Sequence, residues 1–328
     1  MVKFLVVRFS SIGDIVLTTP VVRHLKQQVE DSRVHYLTKS SFAPILEANP
    51  YIDQIHVLNG GDFNALIREL KKLEFDYIID LHHNARSQHL KIKLKRMDFS
   101  VNKLNFRKWL FVNFKWDRMP DIHMVDRNLD TVRHFIRERD GEGLDYFIPP
   151  GEEVDPDSLP VVYRKGYIAL AIGAQHRTKQ LPGEQLLDLC HRLEHPVIIL
   201  GGDQDAATAE QLLKALPDKK MLNYCGKLSI HQSASLVRQS RLLITHDTGL
   251  MHIGAAFRKK IITIWGNTVP AFGMYPYMAD PASVRFEVEG LQCRPCSKIG
   301  FQECPKKHFR CMRDQDISGI ARTAGQLF

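Results

Sequence analysis

The run "VVRFSSIGDIVLTTPVVRHL", from Val6 to Leu25, opens as an apolar strand, passes through two serines and a glycine, and presents Asp14 as a helix begins. Such a turn exposes backbone N–H groups and one carboxylate at the carboxyl end of a strand, where α/β proteins bind ligands. It is either a plain strand–helix joint, with Asp14 as a cap, or half of an active site.

Outward from this turn, apolar periodicity alternates between strand and helix. The pattern predicts a strand over 3–8 and a helix over 15–28, with Ile15, Val16, Thr19, Val22 and Leu25 on one face. Strands follow at 34–37, 55–58 and 77–81, with helices at 42–47 and 63–73 between them. This is βαβ logic, which right-handed crossovers turn into a parallel sheet. The proline- and acid-rich "IPPGEEVDPDSLP", 148–160, reads as a linker. A second series then runs through strands 167–172, 197–201, 242–245 and 261–265, helices 183–193, 206–215 and 249–256, and a terminal helix at 316–327. The expected architecture is α/β: two doubly wound, Rossmann-like parallel-sheet domains, 1–155 and 156–328, facing each other across a cleft.

The totals agree with that plan. A chain of 328 residues is comfortable for two domains, and 44% hydrophobic with 25% charged residues is ordinary globular composition. Phe4-Leu5-Val6-Val7 is too short for a signal peptide, and no apolar run approaches the ~18 residues of a membrane span. These features place the protein in the cytoplasm. The formal charge of +8 points to an anionic partner. Much of the excess lies between Arg86 and Arg118, where Lys91, Lys103, Arg107 and Lys108 precede or interleave with Trp109, Phe111, Phe114 and Trp116. That stretch is either a solvated face with a few core aromatics or a surface for phosphorylated lipid at a membrane. No nucleic-acid motif is present.

Two further segments carry chemistry. In "LLITHDTGLMHIGAAF", Leu242 to Phe257, a buried strand ends at Asp247 and a helix opens at Thr248-Gly249. The helix start supplies free N–H groups, a hydroxyl and the positive end of the macrodipole, which suit a diphosphate; Asp247 or Thr248 as a mere cap is the alternative. Thr248 and His252 share a face. In "AIGAQHRTKQLP", Ala171 to Pro182, Gly173 permits close backbone approach and Lys179 offers a cation at the carboxyl edge of the same sheet.

Together, "RFSSIGDIVLTTPVVRHL" and "HDTGLMHIGAAF…IITIWGNTVP" resemble the opening and diphosphate-binding signatures of glycosyltransferase family 9, the heptosyltransferases. "GAQHRTKQLP", "ILGGDQD" and "DLHHNARS" resemble further family segments in the expected order. The resemblance implies a GT-B fold, with the acceptor on the first domain and the nucleotide-sugar on the second. It implies inverting, divalent-metal-independent transfer of heptose from ADP-heptose to a lipopolysaccharide core sugar. The protein would then meet a phosphorylated glycolipid acceptor peripherally, at the cytoplasmic face of the inner membrane. By position, Asp14 matches the general base and Lys179 the motif lysine. The donor-binding set is Ser11, Gly13, Gly173, Lys179, Asp247, Thr248, Gly249 and His252; Arg86 and Arg127 are the acceptor-binding candidates. The acceptor half departs from the better-known members, meeting them again only at His123-Met124-Val125-Asp126-Arg127.

Six cysteines occur, and four stand in "CRPCSKIGFQECPKKHFRC": Cys293, Cys296, Cys304 and Cys311. The spacing suits a tetrahedral thiolate site for zinc or iron, structural because inverting GT-B chemistry needs no metal. Four packed reduced thiols, or disulfides formed on oxidation, are the alternatives. Cys190 and Cys225 read as core. Three other functions compete: a transferase using a different nucleotide-sugar, a nicotinamide-dependent oxidoreductase, and a non-catalytic metal-containing anion-binding protein. The absence of G-x-G-x-x-G after the first strand counts against the oxidoreductase.

Overall fold

Eleven strands form two sheets in which every pairing is parallel. The structure is a computed structural model and describes residues 1–328. The first sheet comprises β1 (Val2–Val7), β2 (Ser32–Lys39), β3 (Gln54–Leu58), β4 (Tyr77–Asp80) and β5 (Met97–Ser100), in the order β3-β2-β1-β4-β5. The second comprises β6 (Ile168–Ala171), β7 (Val197–Leu200), β8 (Met221–Asn223), β9 (Leu242–His246), β10 (Ile261–Trp265) and β11 (Val284–Glu287), in the order β11-β10-β9-β6-β7-β8. Strand order reverses between β1 and β4 in one sheet and between β6 and β9 in the other. Each reversal opens a crevice at the carboxyl ends of the strands.

The chain divides into two compact units. One holds Met1–Lys103 with Ile122–Pro149, the other Leu104–Asp121 with Pro150–Phe328. In the first, Phe4, Leu5, Val6 and Val7 of β1 are fully buried, so both faces of the strand are covered and its sequence is a continuous apolar run. In the second, Ile168, Leu170, Ile199, Leu242 and Ile244 form the core with Leu186 and Leu189 of the helix Gly183–Arg192. Ile317, Ile320 and Ala324 of the terminal helix Ile317–Leu327 close this core. Cys190 and Cys225 are buried, as expected of core thiols. The segment read as a linker is packed: Val154 donates its N–H to Ser235 Oγ, and Ser229 Oγ donates to Glu152.

Local chemistry explains where the sequence reading and the fold differ. The single helix expected over 15–28 is two, Ile12–Val16 and Thr19–Gln28. Pro20 has no N–H to give the Val16 carbonyl, and Thr19 Oγ1 takes that carbonyl instead at 2.8 Å. The helices Ala85–Leu94 and Asn105–Phe114 and the edge strands β5, β8 and β11 lie in stretches without clear periodicity and were not expected; the helix Ile230–Gln239, equally unexpected, does carry an apolar stripe at Ile230, Ala234 and Val237. The basic stretch is also not one solvated face. Lys91 is buried between Asp80 and Asp98, Lys108 is buried with its Nζ 5.6 Å above the Phe272 ring, and Lys103 is half-buried.

Candidate functional site

At the reversal point of the first sheet, Arg8 follows β1 directly and spends all three guanidinium nitrogens. Its Nε donates to the Ser10 carbonyl at 2.7 Å, Nη1 to the Leu81 carbonyl at 2.6 Å, and Nη2 lies 2.7 Å from Asp14 Oδ1. Arg8 thus ties the ends of β1 and β4 to the aspartate at the start of the following helix. Asp14 Oδ2 accepts the Ser11 hydroxyl at 2.8 Å and the Ser11 N–H at 3.3 Å. The capping role is therefore real, yet the carboxylate is not sealed, since its side chain keeps 23% of its surface exposed. Burial pushes the Asp14 carboxyl up, but the Arg8 charge and the Ser11 hydrogen bonds outweigh it and hold the pKa at about 2. Gly13 sits buried in the first turn beside it.

At the end of β4, the fully buried Asp80 carboxylate accepts the N–H groups of His82 and His83 at 3.1 and 2.7 Å and the Ser87 hydroxyl at 2.7 Å. These bonds fix the turn that presents His82. Burial, reinforced by the charges of Arg8 and Lys103, lowers His82 to about 4, so its imidazole is neutral near pH 7. The ring packs edge-on to Phe9 at 4.9 Å, and its buried Nδ1 has no hydrogen-bond partner. Lys103 is pulled down by burial and by Arg8, while Asp14 and Asp80 oppose the shift. Arg86 is exposed, with its guanidinium 6.0 Å above the rings of Phe9 and Phe63; Arg127 is buried in the helix Met124–Leu129.

At the reversal point of the second sheet, the loops after β6 and β9 meet. Lys179 Nζ donates to Asp247 Oδ2 at 2.6 Å, and Thr268 Oγ1 donates to the same oxygen at 3.0 Å. With Asp247 so engaged, the helix Gly249–Ala256 begins without a side-chain cap: Thr248 precedes it in extended conformation, its hydroxyl 3.2 Å from Thr245 Oγ1. The uncapped first turn leaves N–H donors beside two threonine hydroxyls and the Lys179 ammonium, groups of the kind that suit an oxyanion. His246 Nε2 accepts the Leu181 N–H at 3.1 Å, which leaves the proton on Nδ1. Burial lowers this histidine to about 4 against the opposing pull of Asp247. His252 is buried one turn into the helix. At Gly173 the close approach is made by a protein side chain: a Cβ there would stand 2.2 Å from Asp205 Oδ2, which accepts the Gly202 N–H.

The four clustered cysteines are unpaired. They share a neighbourhood. Cys296 Sγ donates to the Cys293 carbonyl at 3.0 Å, burial and Cys293 raise the Cys296 thiol to about 11, and burial raises Cys311 to about 12. The closed four-thiolate site expected from the spacing is nevertheless not assembled: no three His, Cys, Asp or Glu side chains are grouped to hold a metal ion. Backbone contacts organise the loop instead. Arg294 donates to the carbonyls of Gly266, Val288 and Thr268 and pairs with Glu287, while Lys115 Nζ donates to the carbonyls of Cys293 and Pro295.

The sequence model of glycosyltransferase family 9 (heptosyltransferase) matches residues 63–306, well over half of the chain. The chain belongs to glycosyltransferase family 9. It is similar to lipopolysaccharide heptosyltransferase 1 of Campylobacter coli, with 20% identity over 292 residues, 81% of this chain and 84% of that protein. Among solved structures, the ADP-heptose lps heptosyltransferase II of E. coli superposes with a TM-score of 0.72 at 16% identity, covering 99% of this chain and 98% of that one. The iron-containing dodecameric glycosyltransferase TibC of enterotoxigenic E. coli superposes with a TM-score of 0.56 at 15% identity, covering 99% and 76%. The fold is thus the two-domain, Rossmann-like GT-B fold, and the protein is a glycosyltransferase. Within this family 9 chain, sequence reasoning missed Arg8 and Asp80. An arginine directly after a buried apolar strand was the one available signal for the first. Asp80 opens the quoted "DLHHNARS" segment, but nothing in that segment marks its role in fixing the turn.

Proposed function

We propose that the protein transfers heptose from ADP-heptose to a lipopolysaccharide core or a related cell-envelope glycan, with inversion at the anomeric carbon. The observation that carries this reading is the Lys179–Asp247 pair beside an uncapped helix start, an arrangement suited to a nucleotide diphosphate. The names of the similar proteins, a lipopolysaccharide heptosyltransferase and an ADP-heptose lps heptosyltransferase, support the choice of sugar and acceptor.

In this reading the domain 156–328 holds the donor and the domain 1–155 receives the acceptor, with Arg86 and Arg127 as acceptor-side cations. The acceptor oxygen bonds to the anomeric carbon as the bond from that carbon to the diphosphate breaks. The electron pair leaves with ADP, and the hydroxyl proton passes to an Asp14 carboxylate oxygen. Lys179 and the N–H groups at Thr248 and Gly249 stabilise the charge that develops on the leaving diphosphate, the task a divalent cation performs elsewhere. Ser11 and Gly13 shape the turn that presents Asp14, and His252 backs Thr248 on the same helix face. The thiols of Cys293, Cys296, Cys304 and Cys311 suit iron or zinc by their chemistry, although their arrangement is not converged. Such a metal would be structural and carries no step of the transfer.

No helix is long and apolar enough to cross a membrane. A phosphorylated glycolipid acceptor would be met by peripheral contact with the cytoplasmic face of the inner membrane. The test is incubation with ADP-heptose, and in parallel arms other nucleotide-sugars, together with lipopolysaccharide lacking inner-core heptose. Expected is ADP release with a one-heptose mass gain on the acceptor, unchanged by EDTA. ADP release with no gain in acceptor mass would sink the transferase reading, and mass gain only from another donor would replace the sugar.

A further inference from the structure

Five large aromatic side chains of this protein are exposed, and four of them lie within eleven residues: Phe106, Trp109, Phe114 and Trp116, at 71, 45, 52 and 62% exposure. They belong to the helix Asn105–Phe114 and the turn that ends it. The rings touch in series, with centroids 6.2 Å apart for Phe106–Trp109, 5.3 Å for Trp109–Phe114 and 5.7 Å for Phe114–Trp116. This is one continuous aromatic surface, and surfaces of that kind mark interaction sites. The same helix is anchored from its other side, where Phe111 packs edge-on to Phe272 at 5.9 Å and Lys108 Nζ lies over that ring. The exposed rings are therefore held out by a fixed helix and do not reflect a frayed one.

A second feature meets the helix at its carboxyl end. Val112, Asn113 and Lys115 line a cavity of about 790 Å³ whose other walls include Lys306, His308 and Arg310. No carboxylate lines it, although Arg310 is shared with Asp314 at 2.7 Å. Lys115 Nζ is held by the carbonyls of Val112, Cys293 and Pro295, which fixes a positive charge where helix and cavity join. The exposed cations Arg107 and Arg118 flank the aromatic rings, with Asp117 as the one acid in the stretch.

We propose that the 105–116 segment is a membrane-docking surface, its aromatic rings entering the interface of an anionic bilayer while the basic cavity takes lipid phosphate groups. Tryptophan and phenylalanine favour the interfacial layer, and cations beside them are attracted to anionic headgroups. Charge decides between a bilayer and a second copy of this chain. A face ringed by arginine and lysine on a chain of formal charge +8 repels its own copy and attracts an anionic membrane. The proposal rests on the reading of a lipid-borne acceptor and names the surface that reaches it. It also replaces Lys103 and Lys108 as docking cations, since one is half-buried and the other buried.

The experiment is co-sedimentation of the full chain with phosphatidylglycerol–phosphatidylcholine vesicles and with phosphatidylcholine alone, at low and high salt. The expected result is binding to the anionic vesicles that weakens with salt. The Trp109→Ala/Trp116→Ala variant should partition at least ten-fold more weakly, and Lys306→Gln/Arg310→Gln should lose most of the preference for phosphatidylglycerol. Unchanged ADP affinity, and unchanged transfer to a lipid-free core oligosaccharide, would show that the tryptophan variant is folded and separate this result from failure of the transferase reading. A parent protein that stays in the supernatant at low salt overturns the proposal. So does an oligomer seen by light scattering that the tryptophan variant dissolves, since the patch would then be a contact between copies.

Discussion

The Arg8 guanidinium lies 2.7 Å from the Asp14 carboxylate, and its other two arms are fixed on the carbonyls of Ser10 and Leu81. A base so paired stays ionised and free of protons at any ordinary pH, at the cost of proton affinity. For an inverting transfer this is workable, because the attacking hydroxyl becomes acidic only as its oxygen bonds to the anomeric carbon. Asp14→Asn keeps the shape and removes the base. It should lower kcat by about 10² to 10⁴ with ADP affinity nearly unchanged. Near-normal kcat in a steady-state assay would reduce Asp14 to a helix cap.

Arg8→Gln tests the pair from its other side. It strips a donor from two carbonyls and leaves Asp14 without its cation, so the unfolding free energy should fall by roughly 3 kcal/mol in urea titrations. With the Arg8 charge gone, the Asp14 pKa should rise from about 2 towards or above its ordinary value of 3.8. The sign follows from linkage. A depressed carboxylate stabilises the fold above its unfolded pKa, and that contribution disappears as pH falls through the folded value. The variant, with Asp14 no longer depressed, has little or none of this share to lose, so between pH 3.8 and about 2 its stability should fall less than the parent's. Identical acid-unfolding profiles would count against the pair.

Lys179→Ala should weaken ADP binding at least ten-fold and also destabilise the second unit. The Asp247 carboxylate would keep Thr268 but lose its cation in a site only 10% exposed. Thr248→Ala removes a hydroxyl that makes no capping bond, so it should weaken ADP with little change in melting temperature. Calorimetric titration with ADP is the direct check. Parent-like affinity in both variants would move the diphosphate elsewhere.

His246 carries a pH prediction. Its folded pKa of about 4 lies below the unfolded value near 6.5, so the unfolded chain binds the extra proton between them. Stability is then full above pH 6.5 and declines as pH falls towards 4. Between pH 7.5 and 5 this one histidine should account for roughly 2 kcal/mol. His246→Gln should flatten the stability–pH curve by about that amount. A curve parallel to the parent's would show that His246 does not titrate this way.

The cysteine segment predicts a metal content. The Cys296 and Cys311 thiols, raised to about 11 and 12, are protonated near neutral pH, so a metal must displace their protons to bind. If a metal draws the four sulfurs together, protein purified anaerobically holds roughly one iron or zinc per chain, released more readily as pH falls. Elemental analysis that finds neither, with titratable thiols in the folded protein, leaves a loop held by Arg294 and Lys115.

Wherever burial on both faces imposed a continuous apolar run, the sequence alone located the element. Phe4 to Val7, Val197 to Leu200 and Leu242 to Ile244 are such strands, and their alternation with amphipathic helices was enough for two parallel sheets. The loops after β1, β6 and β9 were legible for the same reason: chemistry at the carboxyl end of a parallel strand has a fixed address. Tertiary structure decided what those addresses contain. Arg8 reaches Leu81, 73 positions away, and Asp80 sets the turn bearing His82. Neither contact leaves a periodic trace, because a buried ion pair or turn-fixing carboxylate is specified by partners distant in the chain. The 105–114 helix escaped for a related reason. Its apolar residues are divided between an anchoring face on Phe272 and an exposed aromatic face, so no single stripe marks it as helix. Spacing among the cysteines showed which side chains are neighbours, but whether their sulfurs converge depends on a loop held by arginine and lysine contacts to backbone carbonyls, which only the folded chain displays.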